Sequence, residues 1–307
     1  MKKRIQNRLA ESRFAFPVMI IYGLAVWLGA GTVAEGAYLQ LAFFVASTLL
    51  MMMLNTTNSL IRIYSRMVSC SFVAMTCAAT FLFSSLESCA TGMCFILFYL
   101  SLLRSYQDKR APGIAFYSFA CLGIASLFFV QILYFVPFLW ILMASNMMAL
   151  THRMFWATVL GLVMPYWFAV GYYVVTNQFD AFIDHFAELA QFEPLLQYEA
   201  LDIHRIATFG LVVLLAVIGI IHYMRNSYQD KIRTRMIFEM FITVDILSFV
   251  FIILQPQHFD NLLPIIIVNT SCLFAHYVAL TRTWLTNVTF IVMCLATLGL
   301  TIFNLMP

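Results

Sequence analysis

The chain has 307 residues, of which 63% are hydrophobic and 10% are charged, with a net charge of +3 and a mean hydropathy of +0.90. Soluble domains average about 45–50% apolar and about 25% charged residues, so this composition excludes a soluble globular protein. It also excludes a disordered chain, because disorder requires low hydrophobicity and high charge. The composition therefore predicts an integral membrane protein.

Apolar stretches long enough to cross a bilayer recur along the whole chain. A spanning helix needs roughly 20 mostly apolar residues, because the hydrocarbon layer is about 30 Å thick. Eleven stretches fit this requirement in chain order: 14–31, 37–54, 67–86, 90–103, 112–129, 131–148, 154–175, 206–223, 236–254, 261–280 and 284–304. The pattern predicts an all-α, polytopic transmembrane bundle of 10 or 11 spans, which forms a single integral membrane domain over residues 1–307. The count is least secure between Phe129 and Gln131, where two stretches nearly touch.

The basic residues lie almost entirely on one side of this predicted topology. Of the 17 Lys and Arg residues, all but Arg205 precede the first span or fall in the even-numbered connections. Cytoplasmic loops of membrane proteins are enriched in Lys and Arg. We therefore expect a bacterial inner-membrane protein with a cytoplasmic N-terminus and, for an odd number of spans, a periplasmic C-terminus. The distribution of basic residues is explained by this topology, so the net positive charge does not indicate a nucleic-acid partner, and none is expected.

Motifs for metal, cofactor or nucleophilic chemistry are absent from the sequence. The seven cysteines form no CxxC pair, and six of them lie inside apolar stretches, where they predict helix packing. The chain has no phosphate loop, no GxSxG nucleophile elbow and no HExxH zinc helix. We therefore expect no metal and no cofactor, and the sequence identifies no catalytic residue.

One connection, residues 176–205, is long, and the topology places it in the periplasm. Near residues 178–192 its apolar and acidic residues alternate with helical spacing, which predicts an amphipathic helix on the outer membrane surface. The acidic stripe includes Asp180 and Asp184, and Pro194 is expected to end the helix. The helix could serve as a lid over the ends of neighbouring spans, or it could face a substrate.

Two groups of ionisable or polar residues are candidate functional sites. Asp245, Asn269, Glu239 and His276 lie inside the ninth and tenth predicted spans, so they could form a polar seam between those helices. The seam would be either a proton relay or substrate path, or a structural hydrogen-bonded cluster. The second group consists of the predicted outer-face acids Glu35, Asp180 and Asp184. These could supply a carboxylate base, as in lipid-linked sugar transferases, or they could be solvated loop residues.

Two segments resemble a family of polytopic inner-membrane proteins of Bacteroidota. They are HRMFWATVLGLVMPYWFAVGY, at residues 152–172, and NLLPIIIVNTSCLFAHYVALTRTWL, at residues 261–285. The shared pattern is a basic turn, a span ending in Gly-x-x-x-Pro-Tyr/Phe, a long outer loop and a last hairpin entered through a Pro. The resemblance implies an inner-membrane location and assigns no reaction. The general pattern is also similar to multi-pass polymerases and transferases of envelope polysaccharide synthesis.

The sequence leaves three classes of function open. The first is a component of envelope biogenesis that handles a lipid-linked or hydrophobic substrate. The second is a proton-coupled transporter that uses Asp245, and the third is a non-catalytic subunit or scaffold of a membrane complex. A transporter requires a water-reachable cavity at Asp245, whereas a transferase requires outer-face carboxylates around a groove open to lipid. The expected partners are membrane lipid and other membrane proteins.

Overall fold

The computed structural model of the protein describes residues 4–34, 36–191 and 201–306, and within these ranges all regular secondary structure is helical. The α-helices are α1 (Ile5–Ala10), α2 (Ala15–Gly29), α3 (Tyr38–Asn58), α4 (Met67–Ala78), α5 (Leu86–Leu102), α6 (Pro112–Phe128), α7 (Val136–Ser145), α8 (His152–Val175), α9 (Phe179–Ala187), α10 (Ile203–Asn226), α11 (Ile232–Leu254), α12 (Phe259–Leu280) and α13 (Trp284–Leu305). Short 3-10 helices lie at Thr80–Ser84, Leu103–Ser105, Val130–Phe135, Ser227–Gln229 and Pro256–His258.

The all-α fold is confirmed, and every predicted span coincides with a helical segment. Seven helical segments of the described residues are long and apolar enough to cross a membrane, namely α3, α8, α11 and α13, and α5, α10 and α12 together with their adjoining 3-10 turns. The other apolar helices are α2, α4, α6 and α7 with its preceding 3-10 turn, and they are 10–17 residues long. The helices therefore indicate a membrane protein, and the count of eleven spans stays a prediction.

Two predicted spans are not continuous helices. The span at 67–86 is divided at Ala79, whose backbone leaves the helical region between α4 and the 3-10 helix Thr80–Ser84. The span at 131–148 begins as the 3-10 helix Val130–Phe135 and continues as α7. Pro137 lies in the first turn of α7, where its missing N–H costs no helical hydrogen bond.

The centre of the bundle is α12, which packs against α4, α5, α10 and α11. In its most apolar stretch 94% of the residues are buried, compared with 17% in α13. A helix that is apolar on all sides is stable only where protein or lipid surrounds it. The difference in burial therefore places α12 in the protein interior and most of the α13 surface at the periphery.

Glycines allow α6 and α8 to approach each other closely. A Cβ on Gly161 of α8 would lie 2.2 Å from the Phe116 carbonyl oxygen, and one on Gly123 of α6 would lie 2.6 Å from that of Leu162. Any larger side chain at either position would separate the helices. Small residues at such crossings are typical of helix packing in membranes.

The amphipathic helix α9 occurs where the sequence predicts it, although it is shorter than the predicted stretch 178–192. The Phe182 and Phe186 rings contact Tyr166 of α8, and Nε2 of His185 is 2.9 Å from the Ser126 carbonyl oxygen at the end of α6. These contacts place α9 at the end of α6 and beside the second half of α8. Pro194, the predicted end of the helix, lies outside the described residues.

The N-terminus lies at the same end of the bundle as several basic connections, and we call this the inner end. Gln6 of α1 donates to the Val278 carbonyl oxygen (2.8 Å), close to the end of α12. Arg233, at the start of α11, donates to Oδ1 of Asn58 and to the carbonyl oxygen of Leu103, both at 3.0 Å. These bonds join α1 to α12, and α11 to the ends of α3 and α5. The opposite end is called the outer end.

Candidate functional site

Two hydrogen-bonded pairs form a buried cluster at the centre of the bundle, which we call the core cluster. Thr270 Oγ1 donates to Asp245 Oδ2 (3.0 Å), and Tyr99 OH donates to Asn269 Oδ1 (2.8 Å). All four side chains are fully buried. Asp245 Oδ1 and Asn269 Nδ2 have no hydrogen-bond partner among the described residues. The cluster therefore connects α5, α11 and α12 through polar contacts that water does not reach.

The other two members of the predicted seam have partners in other regions. Glu239 Oε2 accepts a hydrogen bond from Asn146 Nδ2 (3.0 Å), which follows α7. His276 Nε2 lies 3.0 Å from Oδ2 of Asp230, in the connection between α10 and α11. Asp245 and Asn269 thus belong to the core cluster, whereas Glu239 and His276 are bonded to residues from outside the predicted seam.

Of the predicted outer-face acids, Asp180 and Asp184 line none of the four cavities found among the described residues. Asp180 and Asp184 are exposed on α9, and Glu35 lies outside the described residues. The structure therefore places two of the three acids on a solvent-facing surface and gives them no contact that would define a site.

A polar cavity of about 410 Å³ lies at the outer end, where α2, α10 and α13 meet the 3-10 helix Thr80–Ser84. We call it the outer cavity. Its polar lining residues are Thr32, Thr80, Ser84, Asp202, His204, Arg205 and Asn304. Ligand pockets in proteins commonly measure about 300–1,000 Å³, so this volume suits a small polar group.

Asn304 of α13 organises the wall of the outer cavity. Its Nδ2 donates to the Ala78 carbonyl oxygen (2.6 Å) and to Thr208 Oγ1 (2.8 Å). Its Oδ1 lies 2.9 Å from Nδ1 of His204, and its backbone oxygen accepts from Thr80 Oγ1 (2.8 Å). One amide side chain thus joins α4, α10 and α13 and fixes the His204 ring at the cavity surface.

The charges of the outer cavity are largely balanced. Arg205 donates from Nε and Nη2 to the two carboxylate oxygens of Asp260, both at 2.9 Å, and its guanidinium lies 5.4 Å from the centre of the Phe81 ring. Asp202 accepts from the first N–H of α10 (2.7 Å), as an N-cap does. The bidentate pair neutralises Arg205, so the described lining offers hydrogen bonds without an excess of positive charge.

Thr32 is a polar residue of the outer cavity that lacks an internal partner. It is 8% exposed, and its Oγ1 has no hydrogen-bond partner in the part of the chain that the structure describes. A buried hydroxyl without a partner costs about 1–3 kcal/mol. Because Thr32 lines the cavity, a polar ligand there could supply the missing hydrogen bond.

An apolar groove of about 430 Å³ lies between α10 and α13, which we call the lipid groove. Its walls are Ala207, Gly210, Leu211 and Leu214 of α10 and Ala296, Gly299, Leu300 and Phe303 of α13. A Cβ added to Gly210 or to Gly299 would meet no atom within 4 Å. The two glycines therefore leave open space rather than permit close helix packing, and neighbouring α13 residues such as Leu295 are exposed to the surroundings of the bundle.

The lipid groove borders the outer cavity. On α10, Ala207 of the groove follows His204 of the cavity by about one turn. On α13, Phe303 of the groove directly precedes Asn304 of the cavity. The rings of His204 and Phe303 stack with centroids 4.5 Å apart at the junction. An exposed apolar groove thus borders a polar pocket at the outer end of the bundle.

The residues of this site were not singled out by the sequence analysis. Of the lining residues, only Arg205 was noted, as the one basic residue that does not lie on the predicted cytoplasmic side. One signal in the sequence could have indicated part of the site. Asp260 and Arg205 flank predicted spans at the same end, where they could form an ion pair. The lining comes from several segments far apart in sequence, so its assembly depends on tertiary packing.

The described residues contain no group of three or more His, Cys, Asp or Glu side chains that could hold a metal ion. No family model, no curated protein and no solved structure matches this chain. The fold and the site define a helical protein with several helices long and apolar enough to cross a membrane and an apolar groove that borders a polar cavity.

Proposed function

We propose that the protein is a multi-pass protein of the bacterial inner membrane that handles a lipid-linked substrate in envelope biogenesis. Its N-terminus and inner end would face the cytoplasm, because the basic residues are concentrated there. The outer cavity would then open at the periplasmic boundary of the membrane. The resemblance of residues 152–172 and 261–285 to inner-membrane proteins agrees with this location.

The observation that carries the proposal is that the lipid groove borders the outer cavity. A lipid-linked substrate has a long apolar chain and a polar head, and it lies with the head at the membrane boundary. The groove between α10 and α13 is lined by apolar residues over about two turns. Gly210 and Gly299 carry no side chains that would narrow it. It would hold one chain and direct its head into the polar cavity.

The lining of the outer cavity favours a head group rich in hydroxyls, such as a sugar. The Thr32 hydroxyl has no partner among the described residues, whereas the Thr80 and Ser84 hydroxyls donate to backbone oxygens and can still accept hydrogen bonds from a ligand. Arg205 is already engaged by Asp260, so the described cavity does not present a free cation to a bare phosphate. The proposal assigns binding of the substrate, and no reaction, to these residues.

The two alternative functions have less support. A proton-coupled transporter would need Asp245 to contact water, but Asp245 is fully buried and lines none of the cavities described. A scaffold without a ligand would need neither the lateral groove nor the unpartnered Thr32 hydroxyl beside it.

Filling the lipid groove tests the proposal. Gly210→Leu/Gly299→Leu places two side chains in open space, so the protein should fold and the groove should close. Helix stability should not fall, since Gly is about 1 kcal/mol less favourable than Ala or Leu in a helix. We expect at least an approximately tenfold loss of affinity for a synthetic polyprenyl-phosphate-linked hexose. Binding would be measured by native mass spectrometry of the purified protein in detergent.

Gly171→Leu is the matched control for this experiment. Gly171 also lies within a predicted span, on α8, and a Cβ there also meets no atom within 4 Å, but it lies outside the groove. This variant should bind the probe like the wild type. Unchanged binding of the probe by the double variant would contradict the proposal. An equal loss of affinity in Gly171→Leu would also contradict it, provided that both variants show normal thermal unfolding.

A further inference from the structure

A second polar cavity, independent of the proposed lipid site, lies at the inner end. This inner cleft has a volume of about 480 Å³ and is formed by residues 55–66, which end α3 and connect it to α4, and by residues 229–231 between α10 and α11. The outer cavity and the inner cleft lie at opposite ends of α10, which has 24 residues. At about 1.5 Å per residue, the two sites are about 36 Å apart.

The inner cleft carries more positive than negative charge. Arg62, Arg66 and Lys231 line it, and Asp230 is the carboxylate among its lining residues. Both carboxylate oxygens of Asp230 have partners within the protein. Oδ2 is bonded to the fully buried His276, and Oδ1 lies 3.9 Å from Nη1 of Arg62. Its side chain is only 3% exposed, so it contributes little negative charge to the open part of the cleft.

Arg62 is held at the wall of the cleft in a fixed orientation. Its Nη2 donates to Oε1 of Gln229 (2.7 Å), and Nη1 is directed to the Gln229 carbonyl oxygen (3.4 Å) and toward Asp230. The guanidinium side chain is nevertheless 39% exposed. Arginine has five N–H donors in a planar fork, so these contacts leave donors for an anion in the cleft.

Arg66 and Lys231 have no carboxylate partner among the residues the structure describes. Arg66 is positioned by other contacts: Nε donates to Tyr64 OH (3.2 Å), and the guanidinium lies 5.6 Å from the Tyr64 ring centre and 6.0 Å from that of Phe16. Lys231 is exposed at the opposite wall. Two cations without a carboxylate partner among the described residues therefore line the cleft. Arg62, which also contacts Asp230, is the third cation there.

Asn55 adds a buried hydrogen-bond acceptor to the same cleft. Its Nδ2 donates to the Ser65 carbonyl oxygen (2.8 Å), whereas its Oδ1 has no partner among the described residues. Asn55 is only 9% exposed. An unpartnered buried acceptor is costly, and a hydroxyl or amino donor on a ligand would satisfy it.

We propose that the inner cleft binds a phosphate ester that carries hydroxyl groups. The cations would contact the phosphate oxygens, for which the Arg fork has matching geometry, and Asn55 Oδ1 would accept a bond from a ligand hydroxyl. Both a soluble sugar or glycerol phosphate and the head of an anionic lipid have this chemistry. Because the cleft lies at the inner end, a soluble ligand would come from the cytoplasm in the orientation proposed above.

Two binding assays distinguish these sources. The first measures glycerol 3-phosphate binding to the purified protein in detergent by isothermal titration calorimetry. The second compares the retention of phosphatidylglycerol and phosphatidylcholine by the protein, using native mass spectrometry after release from nanodiscs of equal lipid content. Binding in the first assay identifies a soluble phosphate ester, and selective phosphatidylglycerol retention in the second identifies a lipid head group. Absence of both would overturn the proposal.

Arg66→Gln/Lys231→Gln is the decisive variant, because neither residue is held in an ion pair on which folding would depend. We expect a loss of affinity of at least about tenfold for whichever probe the wild type binds. Lys109→Gln/Arg110→Gln is the matched control, since it removes two exposed cations from the α5–α6 connection outside the cleft. Full binding by the cleft variant, or an equal loss in the control, would overturn the proposal.

Discussion

The outer cavity and the inner cleft have similar volumes, about 410 and 480 Å³, yet their charges are arranged differently. In the outer cavity Arg205 donates two hydrogen bonds to Asp260, and the polar lining continues into an apolar groove. In the inner cleft Arg66 and Lys231 have no carboxylate partner among the described residues. The pairing of cations, more than volume or the number of polar residues, therefore distinguishes the two cavities, and it is the reason that different ligands are proposed for them.

The core cluster differs from both cavities in its burial. Asp245 and Asn269 are as polar as the residues of either cavity, but they are fully buried and bonded to Thr270 and Tyr99. Polar residues inside membrane helices are often functional, and they are also used to hold helices together. In this chain the two polar cavities lie at the helix ends, whereas the buried polar residues of the core cluster connect helices.

The largest expected effect is that a variant of each site loses the ligand of that site and keeps the ligand of the other. The groove variant Gly210→Leu/Gly299→Leu should lose about tenfold or more in affinity for the lipid-linked hexose and keep its phosphate-ester binding. The cleft variant Arg66→Gln/Lys231→Gln should do the reverse, because the sites are about 36 Å apart. Both ligands would be measured on both purified variants. A simultaneous loss of both ligands in a stably folded variant would mean that the cavities are not separate sites.

Asp260→Asn should make the outer cavity more like the inner cleft. The amide can still accept a hydrogen bond from Arg205, but it no longer neutralises the guanidinium. In the background of the cleft variant, we expect affinity for glycerol 3-phosphate to rise about fivefold, corresponding to about 1 kcal/mol for a partly exposed ion pair. Asp108→Asn, at an exposed inner-end position, removes the same charge and should have no such effect. Equal affinities in the two variants would show that charge pairing does not control outer-cavity selectivity.

Asp245→Asn is expected to have the smallest effect. It preserves size and hydrogen bonding to Thr270 and removes the titratable proton. The free energy of unfolding should change by no more than about 0.6 kcal/mol, the average for an interhelical hydrogen bond in a membrane protein. Thermal unfolding in detergent and both binding assays would check this. A stable Asp245→Asn protein that loses function in complementation of a deletion strain would revive the proton-relay alternative.

The helices could be predicted from the sequence because backbone polar groups inside a bilayer must be satisfied within the segment. Apolar length alone therefore located the segments that form α2–α8 and α10–α13. The interruption at Ala79 and the 3-10 start of the sixth predicted span have no comparable hydropathy signal. Local backbone geometry, rather than composition, determines these interruptions.

Depth along a helix could also be predicted, but the partners of a side chain could not. The sequence placed Asp245 near the middle of α11, and the structure shows it fully buried there. His276 was a candidate member of the same polar seam as Glu239, yet it is bonded to Asp230 from the connection between α10 and α11. Residue spacing gives the height and face of a side chain on its own helix, whereas its partner depends on helix rotation and on how the connections fold back.

The central claim is that the lipid groove holds the chain of a lipid-linked substrate. It is tested most directly by photo-crosslinking in cells from a photoreactive residue at Leu300, inside the groove, and from one at Leu298, an exposed position on the same helix. Mass spectrometry would identify the attached lipids. We predict a polyprenyl-linked saccharide at position 300 and bulk phospholipid at position 298. The same bulk phospholipids at both positions would contradict the account.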